Sequence, residues 1–376
     1  MRALSCLAIT ALFLGLSGHS AAAASNRTRG GVWLDACGNA INAHGGSVLH
    51  HGGRYFWYGE RKGPGKDGNR AHGVAVSCYS SDDLLQWRAE GPALEIGSHS
   101  DLKDGCIIER PKVVFCPATG KFVMYFHFEP VGRGYTAARV GVATSDSATN
   151  IFRLVETRRP NAGVWPQGFS ADRLSADDMK VARAIAARNF AGENETIKSF
   201  PFVFAGMFED GQMSQDQTLF VDDDRKAYHI YASEYDSTVH VSELTDDYLH
   251  DAGRYWRIAE KDWTEAPVVF KRNGWYYLVG SGCTGWTPNA ARYYRARKIS
   301  GPWQRMGNPC RGIDVESGLG PEKTWGGQSA FAFSVDGPEE GVAIVFDRWK
   351  PDNAADGRYL WMKVDFLQTG EIEIKW

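Results

Sequence analysis

Ser214-Gln215-Asp216-Gln217-Thr218-Leu219-Phe220 and Trp263-Thr264-Glu265-Ala266-Pro267-Val268-Val269-Phe270 share one internal order, a carboxylate followed directly by an apolar stretch. In both cases a polar turn comes next, and then an aromatic-rich stretch at residues 227–231 or 275–278. Two short strands joined by a turn are the simplest structure for this pattern. The chain therefore contains a repeated strand pair, with an acid at the same point of two copies.

The same order recurs along most of the chain. Each copy has a turn with Gly, Asp or Asn, a strand of alternating aromatic residues, and a second strand ending near an aromatic residue; the copies begin at residues 52, 119, 224, 273 and 341. Alternation with period two between such turns is typical of strands. Five such units predict an all-β fold, a five-bladed β-propeller. A β-sandwich is the competing interpretation, and the shared internal order of the copies favours the propeller.

An insertion at about 158–213 interrupts the repeat between the second and third predicted blades. Within it, Ser175-Ala176-Asp177-Asp178 opens an Ala-rich stretch that runs to Asn189. Ser followed three residues later by an acid is a helix-capping signal, so this insertion is predicted to be partly helical. We expect it to form a wall of the pocket, with a flap remote from the site as an equal alternative.

The N-terminus has the features of a secretory signal. Arg2 precedes an apolar stretch at residues 4–16, and Ala22-Ala23-Ala24 offers a small-residue cleavage site. We therefore predict a signal peptide at 1–24, a single propeller domain at 25–376, and a secreted or periplasmic location. Six cysteines follow the signal, and Cys106/Cys116 and Cys283/Cys310 are plausible disulfides, with free thiols as the alternative.

Bulk composition excludes several kinds of partner. The net charge is −3, the sequence pI is about 6.4, and the chain has no basic block. Nucleic acid and anionic membrane surfaces are therefore not expected to bind. No apolar run after the signal reaches the length of a membrane span. We expect a monomer. We also expect an oligo- or polysaccharide as substrate, because the many Trp and Tyr rings suit the C–H faces of sugars.

Glu265 has the surroundings of a general acid. Proline keeps the residue before it extended and has no N–H, so Ala266-Pro267 fixes the Glu265 carboxyl at a strand entry beside apolar neighbours. Burial there raises the pKa of a carboxyl group, as a general acid requires. Two carboxyls in one pocket, here Glu265 and Asp216, are the working groups of most glycoside hydrolases.

These motifs together resemble glycoside hydrolase family 43, from about residue 40 to the C-terminus. The branch with the greatest similarity acts on arabinogalactan side chains, as exo-β-1,3-galactanases and α-L-arabinofuranosidases do. The resemblance implies a five-bladed propeller and an inverting mechanism, with Glu265 as general acid and Asp216 as the carboxylate that orients it. The matching stretches are residues 41–46, 58–60, 108–112, 213–216, 264–267, 281–286 and 347–349.

The general base is where the chain departs from the family. The resemblance implies an Asp near Asn42 and Ala43, and neither of these residues can activate water. The galactanase-like branch lacks this Asp too and uses other groups, including a Gln on the last blade, which Gln328 matches. Glu109 is the second candidate; binding a sugar hydroxyl, or an ion pair with Arg110 or Lys112, are its alternative roles.

Further substrate contacts are predicted in the matching motifs. Glu60 and Arg110 are expected to bind substrate and His44 to line the pocket floor, with a hydrogen-bonded core histidine as the alternative for His44. Trp286 and Trp349 are expected to stack on sugar rings, with core packing as the alternative. No metal or cofactor is required for the reaction. The resemblance does allow a structural cation in the central channel, with His127 as a possible neighbour.

The sequence thus predicts an exported, exo-acting, inverting glycoside hydrolase. Its expected substrates are terminal galactosyl or arabinofuranosyl residues of arabinogalactan-like plant polysaccharide. The missing Asp on the first blade leaves a carbohydrate-binding propeller without catalysis as one alternative, and a galactofuranosidase is another.

Overall fold

Five four- or five-stranded sheets, arranged in a ring, form the structure. It is a computed structural model that describes residues 29–190, 192–335 and 341–376, so the predicted signal peptide lies outside the described residues. In blades 1 to 4 the strands follow chain order, and in blade 5 a short segment before the first strand pairs with the last strand. The predicted all-β, five-bladed propeller is confirmed.

The bounds of the strands follow the predicted repeats. Blade 1 contains β1 (His44–His51), β2 (Arg54–Glu60), β3 (Val74–Ser81) and β4 (Arg88–Glu95). Blade 2 contains β5 (Ile107–Cys116), β6 (Lys121–Glu129), β7 (Arg139–Ser145) and β8 (Arg153–Arg158). Blade 3 contains β9 (Gln217–Val221), β10 (Ala227–Ser233), β11 (Thr238–Leu244) and β12 (Asp251–Ile258). Blade 4 contains β13 (Thr264–Arg272), β14 (Trp275–Gly282), β15 (Arg292–Ala296) and β16 (Gln304–Gly307). Blade 5 contains β17 (Cys310–Arg311), β18 (Gln328–Val335), β19 (Gly341–Arg348), β20 (Arg358–Phe366) and β21 (Ile372–Lys375).

The first long strand of every blade lies innermost. Neighbouring pairs among β1, β5, β9, β13 and β18 contact each other around the ring, and packing of β1 against β18 closes it. In four of these strands the register with the second strand shifts near the start, at residues 44–47, 109–112, 265–268 and 329–331. Such bulges commonly re-aim side chains next to active sites.

Apolar side chains fill the spaces between neighbouring blades. Between blades 1 and 5, for example, the rings of Trp57, Trp87 and Trp361 pack edge to face, with centroids 5.1–5.8 Å apart. Cys106, Cys116, Cys283 and Cys310 are free thiols, so the disulfides Cys106/Cys116 and Cys283/Cys310 are not formed.

The insertion between blades 2 and 3 is partly helical, as predicted. It contains α1 (Ala176–Ala186), α2 (Glu195–Ser199) and two 3-10 turns, Ala171–Arg173 and Val203–Met207. The predicted capping box is present, because the Ser175 side chain accepts from Asp178 N and the Asp178 carboxylate accepts from Ser175 N. Asn189, Phe190 and Gly192 of the insertion line the main cavity, which matches the expected pocket wall. Over the described ranges, no helix is both long and apolar enough to traverse a lipid bilayer.

Candidate active site

One cavity of about 610 Å³ lies where the first strands of the blades begin. All five blades and the insertion contribute to its lining: Glu60, Lys62, Asn69, Glu109, Arg110, His127, Tyr135, Asn189, Phe190, Gly192, Met213, Gln215, Asp216, Asp236, Glu265, Cys283, Gly285, Trp286, Gln328 and Trp349. The cavity therefore gathers eight of the nine predicted site residues; the ninth is His44.

Arg110 and Asp216 form a two-pronged ion pair in this cavity. Arg110 Nε donates to one Asp216 oxygen at 3.0 Å, and Nη2 donates to the other at 2.8 Å. Arg110 lies in the β5 bulge, where it is 4% exposed and has a left-handed backbone (φ 55°). The planar fork of arginine matches a carboxylate in this geometry, so the pair fixes the orientation of Asp216.

Gln328 connects this ion pair to Glu265. Its Oε1 accepts from Arg110 Nη2 at 2.5 Å and from Trp349 Nε1 at 2.7 Å. Its Nε2 donates to Glu265 Oε1 and to Ser281 Oγ, both at 2.9 Å. A primary amide has two donors and two acceptor lone pairs, so protein groups occupy its whole hydrogen-bonding capacity. Gln328 therefore holds Glu265 and Arg110 in fixed relative positions.

Glu265 has the electrostatic surroundings of a proton donor. Burial raises its pKa well above the usual value, and the Asp216 and Asp236 carboxylates raise it further. Arg110 and the Cys283 thiol act in the opposite direction and do not cancel the effect. A carboxyl group whose pKa is raised keeps its proton to higher pH, which suits general acid catalysis.

Asp236 is a cavity carboxyl that the sequence analysis missed. Burial, followed by repulsion from Asp216, raises its pKa to about 7. It follows β10 in a turn whose residues Glu234, Tyr235 and Asp236 all have left-handed backbones, with φ of 50°, 60° and 61°. Such conformations cost of order 1–3 kcal/mol each and persist only where neighbouring contacts enforce them.

Two anchors hold this turn. The fully buried Glu234 carboxylate accepts from Arg257 Nε at 2.6 Å and lies 3.1 Å from His240 Nε2. The Tyr235 hydroxyl donates to Ile185 O at 2.9 Å, which ties the turn to α1 of the insertion. The insertion thus helps to place the Asp236 carboxyl in the cavity.

Replacing Asp236 with Asn should move the alkaline limb of the kcat/KM–pH profile to lower pH. A general acid acts in its protonated form, so with Glu265 in that role activity is present below the pKa of Glu265 and is lost as pH rises through it. Removing the Asp236 carboxylate removes one of the causes that raise that pKa, and therefore lowers it. Asp223→Asn, at a carboxylate 85% exposed in the β9–β10 turn, is the control and should leave the profile unchanged. An unshifted limb in Asp236→Asn would refute the coupling.

Glu109 lies on blade 2, in a cluster of charged and hydroxyl groups. The Tyr135 hydroxyl donates to Glu109 Oε1 at 2.8 Å, and His127 Nδ1 lies 3.4 Å from Oε2. Lys62 Nζ is 3.8 Å from Oε1, so the charged partners of Glu109 are His127 and Lys62 and not Arg110 or Lys112, which were its alternative ion-pair partners. The histidine and lysine outweigh burial and lower the pKa of Glu109 to about 2. Glu109 is therefore ionised at any working pH.

His44 does not lie in the cavity wall. Its side chain is fully buried, and its ring stacks on Tyr359 with centroids 5.0 Å apart. Its Nδ1 lies 3.6 Å from Asp347 Oδ1. The predicted role on the pocket floor is therefore corrected to a core histidine, because β1 turns this side chain toward blade 5.

The other predicted substrate contacts differ in accessibility. Glu60 is 2% exposed and accepts from Arg110 N at 2.8 Å, so its carboxylate holds the Arg110 backbone in place. Trp349 is held by its bond to Gln328, with the Arg110 guanidinium 5.4 Å from its ring centroid. Trp286 packs edge-on against Trp349 and is 46% exposed. Trp286 is thus the ring most available to a sugar.

Comparisons with known proteins agree with this architecture. The model of the family described as "Glycosyl hydrolases family 43" matches residues 174–357. A solved GH43 β-1,3-galactosidase with galactodeoxynojirimycin is 40% identical, covering 93% of this chain and 98% of that chain, with a TM-score of 0.81. A search of curated proteins gives no match.

Two galactanase structures show the same likeness. An exo-β-1,3-galactanase from Clostridium thermocellum is 31% identical over 92% of this chain and 64% of that chain, with a TM-score of 0.73. An exo-β-1,3-galactanase from Phanerochaete chrysosporium, solved with β-1,3-galactotriose, is 26% identical over 92% and 66%, with a TM-score of 0.71. The chain therefore belongs to glycoside hydrolase family 43 and is an O-glycosyl hydrolase.

Proposed function

We propose that this hydrolase is an exported, exo-acting, inverting β-1,3-galactosidase that removes terminal galactosyl residues from arabinogalactan-like polysaccharide. Galactose is preferred to arabinofuranose because the 40% identical relative, similar over nearly its whole length, is a β-1,3-galactosidase. The observation that carries the catalytic part is the raised pKa of Glu265 beside the fixed Asp216. Export is proposed from the signal-like sequence at residues 1–24.

Glu265 is the proposed proton donor to the leaving oxygen. Arg110 holds the Asp216 carboxylate in place, and the negative charge of that carboxylate disfavours ionisation of Glu265. Gln328 Nε2 donates to Glu265 Oε1 at 2.9 Å and so fixes the orientation of the carboxyl group. A donor fixed in this way loses little orientational freedom in the transition state, which is one source of its catalytic effect.

Glu109 is the proposed group that activates water. It starts the innermost strand of blade 2, whereas Glu265 starts that of blade 4, so the two carboxyls lie on non-adjacent blades across the axis. Gln328 is on blade 5 beside Glu265 and bonds to it directly. An inverting reaction needs the water on the sugar face away from the acid. Glu109 meets this requirement, and its carboxylate retains acceptor sites beyond those used by Tyr135 and His127.

An exo mode of action is supported by the shape of the cavity. Residues of every blade and of the insertion line it, as expected for a pocket that takes a chain end. Phe190 of the insertion and Trp286 of blade 4 provide apolar surface, and the carboxylates supply acceptors for hydroxyl groups. This combination suits a sugar, which presents apolar C–H faces and a rim of hydroxyls.

Incubation with β-1,3-galactan should release galactose, and NMR should show the α-anomer as the first product. Inversion at a β-linkage gives this outcome, whereas β-galactose as the first product would refute the inverting mechanism. Glu265→Gln serves as the inactive control. Binding without release would support the carbohydrate-binding alternative, and turnover confined to chromogenic arabinofuranosides would refute the galactosyl specificity.

Azide should restore turnover to Glu109→Ala but not to Gln328→Ala. Losing a general base costs about 10²–10⁴-fold in rate. Azide needs no deprotonation and fits the space that the side chain leaves, so the expected product is α-galactosyl azide. Gln328→Ala misplaces Glu265 and Arg110 instead, which azide cannot correct. If azide rescues Gln328→Ala and not Glu109→Ala, the residue that activates water is Gln328.

A further inference from the structure

Lys112 is a fully buried lysine, on the innermost strand of blade 2, that the proposed reaction does not use. Its side chain is 0% exposed. Nζ donates to Gly45 O at 2.5 Å and to Gly46 O at 3.1 Å, the two glycines of the β1 bulge. Lysine is almost never fully buried unless its ammonium is paired. These two carbonyl oxygens therefore form a binding site for a cation, and the Lys112 ammonium group occupies it.

A bound metal ion does not fit this arrangement. Within residues 29–190, 192–335 and 341–376, no group of three or more His, Cys, Asp or Glu is placed to hold one. His127, the expected neighbour of a channel cation, lies between the carboxylates of Glu109 and Glu129 instead. Hard cations take six or more oxygen ligands, and the Gly45 and Gly46 carbonyls are already bound by Lys112.

The β1 bulge that Lys112 binds has no spare room. A Cβ on Gly46 would lie 1.9 Å from Tyr58 O, and a Cβ on Gly45, which has a φ of +55°, would lie 2.1 Å from Glu60 Oε1. A side chain at Gly46 would displace the β2 backbone, and one at Gly45 would displace the Glu60 carboxylate from a backbone conformation that favours glycine. The position of the bulge therefore determines that of the Glu60 carboxylate.

Glu60 in turn connects the bulge to the catalytic groups. Its Oε1 accepts from Arg110 N at 2.8 Å, and the Arg110 side chain holds Asp216. Lys112 follows Arg110 by two residues on β5, so this strand is tied to β2 through Arg110 N and Glu60 before Pro111, and to β1 through Lys112 after it. A shift of the bulge would be passed to the Arg110–Asp216 pair.

We propose that Lys112 supplies the fixed cation of the propeller axis in place of a metal ion, and that it is a positioning residue for Arg110 and Asp216. The groups facing it are Arg110, which opposes its charge, and Glu60, Asp347 and Asp216, which favour it. Burial and Arg110 together lower the pKa of Lys112 to about 7. The ammonium form therefore prevails in mildly acidic buffer, and pH 5.5 is the condition for the test.

The first experiment uses the wild-type protein and needs no substrate. After treatment with EDTA and desalting into sodium-free buffer at pH 5.5, the Tm should be unchanged, and added CaCl₂, MgCl₂ or NaCl should not raise it above a choline chloride control. A Tm that falls on chelation and returns with one of these ions would overturn the proposal. This outcome is independent of the proposed galactosidase function.

The second experiment replaces the lysine. Lys112→Met should lower the Tm and reduce kcat/KM about tenfold or more, because small displacements of catalytic groups have large effects on rate. In Lys112→Ala, ammonium chloride should restore part of both quantities, whereas choline chloride at equal ionic strength should not. Lys103→Ala, at an exposed lysine, is the matched control.

The outcomes separate positioning from simple packing. Ammonium rescue of kcat/KM supports a fixed cation that positions the site, since a packing defect would not respond to a small cation. Wild-type Tm and kcat/KM in Lys112→Met would overturn the proposal. The activity readout rests on the proposed function, and should no galactoside be turned over, the chelation experiment and ammonium rescue of the Tm still decide the matter. If Lys112→Met does not fold, the wild-type chelation result stands alone as the test.

Discussion

Glu265→Gln should reduce turnover of a β-1,3-galactooligosaccharide by about 10²–10⁴-fold, the usual contribution of a general acid. The amide has the shape of the carboxyl group but cannot protonate the leaving oxygen. A galactoside whose leaving group needs no proton, such as a dinitrophenolate, should therefore suffer a much smaller loss. The ratio of the two losses, measured as kcat/KM, distinguishes a lost acid from a distorted pocket.

Stability provides the control for this substitution. The folded protein holds a proton on Glu265 at pH values where the unfolded chain has released it, because the pKa of Glu265 is raised on folding. Its contribution to the free energy of unfolding therefore falls as pH rises above the ordinary pKa of glutamate. Glu265→Gln removes this cost, so its Tm at pH 7 should equal or exceed that of the wild type. A large loss of Tm, or equal losses on both substrates, would refute the assignment.

Arg110→Met should abolish activity and destabilise the fold. Arg110 is buried, and its guanidinium binds Asp216, Gln328 and Ser329 O. Removing one partner of a buried ion pair costs about 3–5 kcal/mol, because it leaves the other charge without compensation. Thermal or urea unfolding measures this loss, and kcat/KM on the oligosaccharide measures the effect on the site.

Arg110→Lys separates charge from geometry. Lysine keeps the positive charge but cannot bind both Asp216 oxygens and Gln328 in one plane. We expect it to recover much of the stability of Arg110→Met, with a loss of activity of about 10²-fold or more. Arg183→Met is the surface control, since Arg183 pairs with Glu209 at 63% and 75% exposure. Such pairs contribute about 0–1 kcal/mol. Wild-type kcat/KM in Arg110→Lys would contradict the proposed role of the fork.

The repeat pattern explains how much of the site could be predicted. Strand alternation identifies the five blades, and the first strand of a blade always carries its residues to the axis. Asp216, Glu265 and Gln328 precede or start such strands, so their convergence follows from the repeat. Glu109-Arg110-Pro111 repeats the pattern of Glu265-Ala266-Pro267, and this match was the available signal for the equivalence of the two glutamates.

Other site residues depend on contacts that no local pattern shows. Asp236 reaches the cavity through three successive left-handed residues, which Arg257 and the insertion enforce from distant parts of the chain. His44 begins the first strand of blade 1, but its ring stacks on Tyr359 of blade 5 and not in the cavity wall. Burial of Lys62 against Glu60 likewise depends on the fold of the loop after β2.

The bulges of β5 and β13 have a consequence for how the two halves of a reaction arise on one scaffold. At each bulge a Glu, a left-handed residue and a Pro follow in order, with φ of 55° at Arg110 and 51° at Ala266. The extended backbone predicted for Ala266 is therefore wrong, because the bulge between Glu265 and Val268 takes this residue out of the regular strand. The backbone thus presents two equivalent glutamates and assigns neither a role. His127 and Lys62 lower the pKa of Glu109, while burial, Asp216 and Asp236 raise the pKa of Glu265. The neighbours that set these pKa values come from the same blade or from the blade before it, so exchanging them is the direct route to redesigning which glutamate keeps a proton.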